Sequence, residues 1–337
     1  MRDYILQIEQ GENLSHDEIT VVMELIMSGH APLEEIKSFL LALNKKGPTV
    51  EEITACALIM RKFVIPVKTN HEIILDVVGT GGDQRNTFNI STVTAIVVAA
   101  CGVAVAKHGN RRVSSRCGSA DVLETLGVNL QIEERCISEC LDKIGLAFLF
   151  AQRLHPAMKN VAPARQELGV RTIFNLLGPL TNPARASHQV MGVYSRELLE
   201  PMTQVLKNLG LKRALVVYGN DGLDEITITD KTFVSEYNGY DIISYDINPD
   251  ELGIARARIE DISGGDAAQN ASIILSILKG ERGARRNIVV VNAAYALYTA
   301  QAVDNLLQGM RMAEHAIDSH RALQKLDELK EFTNRVR

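Results

Sequence analysis

Residues 76–92 read DVVGTGGDQRNTFNIST and are entered through the apolar run EIILDVV. Gly79, Gly81 and Gly82 stand within four positions, and Asp83 follows them. Thr87, Asn89, Ser91 and Thr92 then supply neutral donors. A turn needs one glycine; three let backbone N–H groups face an anion with no Cβ in the way. A helix expected to start near Asn89, Ile90, Ser91 and Thr92 would add unpaired donors and a partial positive charge. Together these groups describe a phosphate cradle. It is neither a Walker loop, since no Gly-Lys-Ser/Thr follows, nor the dinucleotide GxGxxG. A tight turn with a Ser/Thr helix cap is the simpler reading of the same residues.

A second cluster follows the apolar VAVA: Lys107, His108, Gly109, Asn110, Arg111, Arg112, Val113, Ser114 and Ser115. Cations for phosphoryl oxygens stand here beside short hydroxyl donors, although a solvated basic turn would look alike. Two such loops after neighbouring strands suggest a ligand with two separated phosphate groups. The third feature is Asp224-Glu225 in GNDGLDEIT. Adjacent carboxylates at the end of a glycine-containing loop suit Mg²⁺, which binds phosphates through one or two carboxylates and several waters. A solvated acidic pair is the alternative, and the two anion cradles favour the metal.

These residues need a scaffold. From Glu72 short apolar strands alternate with helices: strands are expected at 72–78, 103–106, 128–132, 146–150, 188–194 and 212–218. Helices are expected at 91–101, 119–127, 133–144 and 197–209. Strands at 225–229 and 232–238 read as a hairpin, and helices as filling 268–280 and most of 286–335. The alternation argues a mainly parallel central sheet, with ligands beyond the carboxyl ends of its strands. The first 67 residues look wholly helical. Ser15-His16-Asp17-Glu18 and Thr49-Val50-Glu51-Glu52 read as capping boxes, the first with Leu14 and Ile19 as its staple. Pro32 opens an amphipathic run through Ile36, Phe39, Leu40 and Leu43. The fold class is therefore α/β, a small all-helical domain plus a larger α/β domain. One stretch breaks the rhythm, HPAMKNVAPARQELGVRTIFNLLGPLTNPA at 155–184. It is placed with the N-terminal helices, so residues 1–67 would be completed by about 162–186. Residues 68–161 and 187–337 then make the α/β domain.

Composition narrows the partners. With 337 residues, 46% of them hydrophobic, the chain can bury a large core. A net charge of −5 and a pI of about 6.0 argue against a general affinity for nucleic acid or membrane surfaces. No stretch approaches the roughly 18–20 apolar residues that span a bilayer, and charge interrupts the N-terminus where a signal peptide is apolar. A cytoplasmic protein is expected. Cys56, Cys101, Cys117, Cys136 and Cys140 fit that compartment as free thiols, and no zinc spacing accompanies Cys136 and Cys140. Without secretion, the sequons at Asn89 and Asn270 carry no glycan.

Four blocks, GTGGD–TFNIST, KHGNR–SS–GSADVLE, HPAMKNV–P–R–LG-RTIFNLLGPLTNPA and G-DEI-T, run in order from about 76 to 227. In this they resemble the anthranilate phosphoribosyltransferases of tryptophan biosynthesis, within the nucleoside phosphorylase and phosphoribosyltransferase fold family. The resemblance implies transfer of phosphoribose from phosphoribosyl pyrophosphate (PRPP) to the anthranilate amine, releasing pyrophosphate, by a Mg²⁺-dependent homodimer joined through its helical domain. It would place Gly79, Gly82, Asp83, Thr87, Asn89, Ile90, Ser91 and Thr92 around PRPP. Lys107, His108, Gly109, Asn110, Arg111, Ser114, Ser115 and Ser119 would extend that site. Ser91, Asp224 and Glu225 would hold Mg²⁺, while Gly79, Asn110 and Arg165 would meet anthranilate, Arg165 at its carboxylate.

Gln84 stands where the family has glycine and Ala164 where it has valine; neither removes a liganding side chain. His108 could act as a general base, shape its loop or contact anthranilate. His155 reads as a cap or buried hydrogen-bonder, Cys117 as part of a packed turn, Phe148 and Phe150 as core, and Arg153 and Arg171 as positioning charges. A pyrimidine nucleoside phosphorylase of the same architecture is one rival, weakened by the intact KHGNR and DE features. A nucleic-acid-binding relative without activity is another, weakened by the acidic charge.

Overall fold

The computed structural model describes residues 1–83, 85–111 and 117–336. Helices α1 (Arg2–Glu9), α2 (His16–Met27), α3 (Leu33–Lys46) and α4 (Val50–Lys62) open the chain. Both capping boxes form: the Glu18 carboxylate accepts from the Ser15 N–H at 2.8 Å and that of Glu52 from the Thr49 N–H at 2.8 Å. Glu52 does more than cap. Fully buried, it also accepts from the Leu14 N–H at 3.0 Å and from Lys46 Nζ at 2.8 Å, tying three segments of the unit together. A buried carboxylate is tolerable only when so satisfied.

The sheet has the order β3-β2-β1-β4-β5-β6-β7. Its strands are β1 (Ile74–Gly79), β2 (Ala104–Gly109), β3 (Leu146–Phe150), β4 (His188–Gly192), β5 (Arg213–Gly219), β6 (Thr232–Tyr237) and β7 (Ile242–Ile247). The first five pair in parallel and the last two antiparallel. Helices α5 (Ile90–Ala100), α6 (Ser119–Thr125) and α7 (Glu134–Ile144) connect β1 to β3. Next come α8 (Ala151–Leu154), α9 (Ala162–Leu168) and α10 (Phe174–Leu180), with α11 (Leu199–Asn208) between β4 and β5. Helices α12 (Ala267–Leu278), α13 (Ala284–Thr299), α14 (Leu306–Asp318) and α15 (Arg321–Arg335) follow the sheet.

Two hydrophobic cores flank the sheet. One joins α5, α7 and the helices from α12 onward to one sheet face. The other runs from α1–α4 through Ala164, Phe174 and Leu177 to Met191, Val216 and Phe233 on the opposite face. The 155–184 stretch packs on the N-terminal helices: α9 on α3, α10 on α4, and the short turn Pro156–Asn160 on α2. Among the described residues no helix is long and apolar enough to cross a membrane.

Two expected strands are absent. Residues 128–132 run beside the sheet rather than in it, and the Asn129 N–H donates to Thr333 Oγ1 at 3.1 Å. Residues 225–229 pair with no strand either; the N–H groups of Ile226 and Thr227 go to the side chains of Asn292 and Thr232. In both places side chains take the ladder's role, so a β-like pattern does not become a strand. The hairpin partner of β6 is β7, and the helices expected over most of 286–335 are α13, α14 and α15.

Candidate active site

Strand order reverses at β1: β2 and β3 lie to one side of it, β4 and β5 to the other. Open α/β sheets leave a crevice for ligands at such a point. Gly79 and Gly192 end β1 and β4 there as register partners. Their missing side chains admit Asp224. A Cβ on Gly192 would lie 1.6 Å from the Asp224 carbonyl oxygen, and one on Gly79 would lie 2.3 Å from Asp224 Oδ2. The Gly81 N–H donates to that Oδ2 at 2.9 Å, and Glu225 Oε1 accepts from the Ser91 N–H at 3.1 Å. The glycine loop, the start of α5 and both carboxylates therefore converge. From β2, Lys107 Nζ reaches the Val77 carbonyl at 2.7 Å and Ser91 Oγ at 3.1 Å.

Charge is unbalanced in this crevice. Burial, then the charge of Asp83, lifts Asp224 to about 7. Burial, then Asp224, lifts Glu225 to about 8, and burial also raises Asp83. Burial pulls the Lys107 amine below its ordinary value, against the attraction of Asp76, Glu225 and Asp224. Three crowded carboxylates facing one buried amine are what a divalent cation would relieve. The oxygen donors of Asp224, Glu225 and Ser91 suit a hard ion. Among the described residues no three His, Cys, Asp or Glu side chains gather to ligate one. Water and ligand phosphate would complete the shell, as Mg²⁺ prefers.

Behind β2 lies a polar network. The His108 N–H donates to Asp76 Oδ1 at 3.1 Å, while Asn182 Nδ2 donates to Asp76 Oδ2 and the Ala106 carbonyl, each at 2.8 Å. Burial pushes Asp76 up to about 6. His108 Nδ1 lies 3.1 Å from the Gly178 carbonyl, and its Nε2 lies 3.1 Å from His155 Nε2. A carbonyl only accepts, so His108 carries its proton on Nδ1 and His155 donates to its Nε2. Burial lowers both rings, His155 to about 4, so the pair is neutral at physiological pH. The His108 lone pair is thus already engaged. A general-base role would first require that bond to break, and orienting the β2 end is the role the geometry supports. His155 is the buried hydrogen-bonder expected of it.

The α8–α10 segment forms the facing wall. Arg171 donates to the Gly82 carbonyl and lies 4.1 Å over the Tyr194 ring. Arg165 is half-buried, 5.9 Å over the Phe174 ring, and burial lowers its pKa. Its guanidinium has no hydrogen bond or ion pair among the described residues, which leaves its fork open to a carboxylate. Ala164 beside it is buried.

The other expected residues are distributed unevenly. Buried Thr92 and half-buried Thr80 each have a hydroxyl with no partner among the described residues, and Thr87 bridges to Ser263. Ile90 is buried core. The Asn89 amide is committed: Asn270 Nδ2 donates to its Oδ1 at 2.9 Å, and its Nδ2 donates to the Cys117 carbonyl at 3.2 Å. Gly109 accommodates Ser119 Oγ and the Phe148 ring, and Ser119 Oγ donates to the Asn110 carbonyl at 3.3 Å. Arg111 turns toward α6 and pairs with Asp121 and Glu124. Ser114, Ser115 and Gln84 lie outside the described residues. Sequence reasoning missed Asp76, Asn182, Asp221, Asn270 and Asn292 as supports. The available signal was a polar residue inside an apolar run, as Asn292 stands in VVVNAAYAL.

Residues 2–64 match the glycosyl transferase family, helical bundle domain, and residues 71–323 match the glycosyl transferase family, a/b domain. The chain is 51% identical over 334 residues to anthranilate phosphoribosyltransferase of Acetivibrio thermocellus, covering 99% of this chain and 97% of that one. It is 50% identical over 334 residues to that of Methanobrevibacter smithii, with 99% of both chains covered. The solved Thermus thermophilus enzyme of that name superposes with a TM-score of 0.93 at 42% identity, covering 98% of this chain and 99% of that one. The Saccharomyces cerevisiae enzyme, in complex with PRPP and Mg, gives 0.87 at 27% identity, covering 95% and 93%. Likeness over both domains and nearly the whole length shows that this chain belongs to the anthranilate phosphoribosyltransferase family.

Proposed function

We propose that the protein transfers phosphoribose from PRPP to the amine of anthranilate, giving N-(5-phosphoribosyl)anthranilate and pyrophosphate, in tryptophan biosynthesis. The observation that carries this reading is the meeting of Gly81, the start of α5, Lys107 and the Asp224-Glu225 pair at the sheet's switch point. Backbone donors and a helix N-terminus suit the phosphates of PRPP. Mg²⁺, held by Ser91, Asp224 and Glu225, would neutralise charge on the departing pyrophosphate. The remaining PRPP contacts fall to Gly79, Gly82, Asp83, Thr87, Thr92, Lys107, Gly109, Asn110, Ser114, Ser115 and Ser119, with Asn89 acting through its placement at the α5 cap. Arg165 takes the anthranilate carboxylate, with Gly79 and Asn110 nearby. An aromatic amine is uncharged near neutral pH, so orientation for in-line attack matters more than a strong base.

The helical unit takes in about 162–186, supported by the packing of α9 and α10 on α3 and α4. The same unit is the proposed homodimer surface: Leu6, Val21, Leu41 and Leu58 on its four helices are exposed, and apolar side chains repeated across one unit favour a partner. A cytoplasmic setting agrees with five unbridged cysteines.

Loss of anthranilate fluorescence tests the reaction. It should require PRPP and Mg²⁺ together and stop with chelator. Phosphorolysis of a nucleoside, without PRPP turnover, would replace the proposal with the phosphorylase reading. Salt-dependent binding of single-stranded DNA, again without turnover, would replace it with the nucleic-acid-binding one.

A further inference from the structure

Asp224 and Glu225 sit on a segment with no strand partner, yet Ile226 behind them is fully buried. Its N–H and C=O would be orphaned in the core, where an unpaired backbone group is costly. One side chain satisfies both. Asn292, on α13 and 1% exposed, accepts from the Ile226 N–H through Oδ1 at 3.1 Å. Its Nδ2 donates to the Ile226 carbonyl at 2.8 Å and to the Ile288 carbonyl of its own helix at 2.8 Å. The amide thus acts as a one-residue strand partner anchored in a helix. That helix also packs against α5, whose first turn binds Glu225 through the Ser91 N–H.

We propose that Asn292 is a positioning residue for the Asp224-Glu225 pair. By holding Ile226 at both backbone groups, it fixes the direction in which the preceding carboxylates enter the crevice. Successive residues of an extended segment point to opposite sides. For adjacent carboxylates to serve one site, the backbone must be held in a particular course. Gly79 and Gly192 shape the space on the sheet side of Asp224, and Asp221 closes the loop before it by accepting from the Leu223 N–H at 3.1 Å and Thr227 Oγ1 at 2.6 Å. Asn292 closes it from behind. Removing the amide frees Ile226 to shift and the carboxylates with it.

This inference rests on the proposed metal and PRPP site, and the experiment separates the two. Wild type, Asn292→Ala, Asn292→Ser and Thr299→Ala are compared for the Mg²⁺ concentration at half-maximal turnover, PRPP affinity by calorimetry with Mg²⁺, the KM for anthranilate, and Tm. Thr299 is a buried control on the same helix whose hydroxyl donates to the Tyr295 carbonyl at 2.8 Å. In Asn292→Ala the half-saturating Mg²⁺ concentration should rise about ten-fold and PRPP affinity fall with it, while the KM for anthranilate stays within a factor of about two. Asn292→Ser keeps an uncharged hydroxyl beside Ile226 that can bond one of its two backbone groups, and should show the same pattern at smaller size. Thr299→Ala should lower Tm alone.

Asn292 variants that lower Tm but keep the wild-type Mg²⁺ and PRPP dependence would overturn the inference, leaving a structural asparagine. Should Asn292→Ala not fold, Asn292→Ser decides by the same criterion, and failure of both to fold also counts against a positioning role. A wild-type protein with no turnover and no Mg²⁺-dependent PRPP binding would instead sink the reading of the site.

Discussion

Replacing Gly79 by alanine isolates the geometry of the carboxylate site from the stability of the fold. Gly79 has no left-handed backbone, so alanine can adopt its conformation. The new Cβ, however, would stand 2.3 Å from Asp224 Oδ2 and 2.9 Å from its Cγ. An ordinary contact begins at 3.4 Å, so the carboxylate must retreat by about 1 Å. That retreat breaks the 2.9 Å bond from the Gly81 N–H, which also fixes the glycine loop. A charge-assisted hydrogen bond contributes about 1.5–3 kcal/mol, and a displacement of about 1 Å in a positioned group can cost on the order of 100-fold in rate. Turnover should therefore fall by about two orders of magnitude and the Mg²⁺ requirement should rise.

Tm should fall by only a few degrees, because a flexible side chain absorbs the clash and alanine restricts the unfolded chain more than glycine does, offsetting part of the lost bond. Gly192→Ala is the contrast. Its Cβ would lie 1.6 Å from the Asp224 backbone oxygen, which cannot rotate away, so Tm should drop along with activity. The assay is PRPP-dependent loss of anthranilate fluorescence across a Mg²⁺ titration, with calorimetric Tm measured alongside. Gly79→Ala showing wild-type turnover and wild-type Mg²⁺ dependence would refute the placement of Asp224 at the reaction site.

Gly82→Val should weaken PRPP binding, since Gly82 has φ of +81° and its Cβ would lie 3.0 Å from Arg171 Nη2; a β-branched residue there is strained by about 1–3 kcal/mol, and unchanged affinity by calorimetry would reject the cradle. Arg165→Ala should raise the KM for anthranilate about 10- to 150-fold with PRPP affinity nearly intact, and Arg165→Lys should fall between; loss of PRPP affinity instead would move Arg165 to the phosphate site. The pH dependence has a definite sign. Asp224 and Glu225 are raised from 3.8 and 4.5 to about 7 and about 8, so the stability they contribute is present below pH 4 and is lost as pH rises toward 8. The metal-free protein should lose Tm across that range and regain it with Mg²⁺; a flat metal-free profile in thermal melts would contradict the crowding of the carboxylates.

The parts legible in the sequence were those with local causes. Both capping boxes form because Ser15–Glu18 and Thr49–Glu52 satisfy each other within one turn. The glycine loop and the DE pair carry their chemistry in adjacent residues, so their convergence could be anticipated once each was set at a strand end. What stayed hidden depends on contacts distant along the chain. The segment ITIT after Glu225 has strand-like composition, but its ladder bonds are taken by Asn292 and Thr232 side chains. The cations of the second loop were taken together as phosphate binders, yet Arg111 lies beside α6, where Glu124 holds its guanidinium. Nothing in the local pattern distinguishes that arginine from Lys107.

The same division explains how a site built from loops can be held in place. Apart from Gly79 at the end of β1 and Lys107 on β2, the groups proposed to meet phosphate and metal lie mainly on the glycine loop, the first turn of α5 and the segment after β5, none of which is fixed by the sheet ladder. Their supports are buried amides on helices that follow the sheet. Asn270, on α12, donates to Asn89 at the α5 cap and accepts from the Gly265 N–H at 2.8 Å; Asn292 does the equivalent for Ile226 behind the carboxylates. A buried amide can offer a donor and an acceptor to one backbone residue without introducing charge, whereas a buried carboxylate there would add to an already unbalanced field. The crevice can therefore concentrate negative charge for a cation while these two supports remain neutral. That requirement also accounts for why the two asparagines lie beyond the glycine motifs: they belong to the packed face of the sheet and reach the loops from beneath.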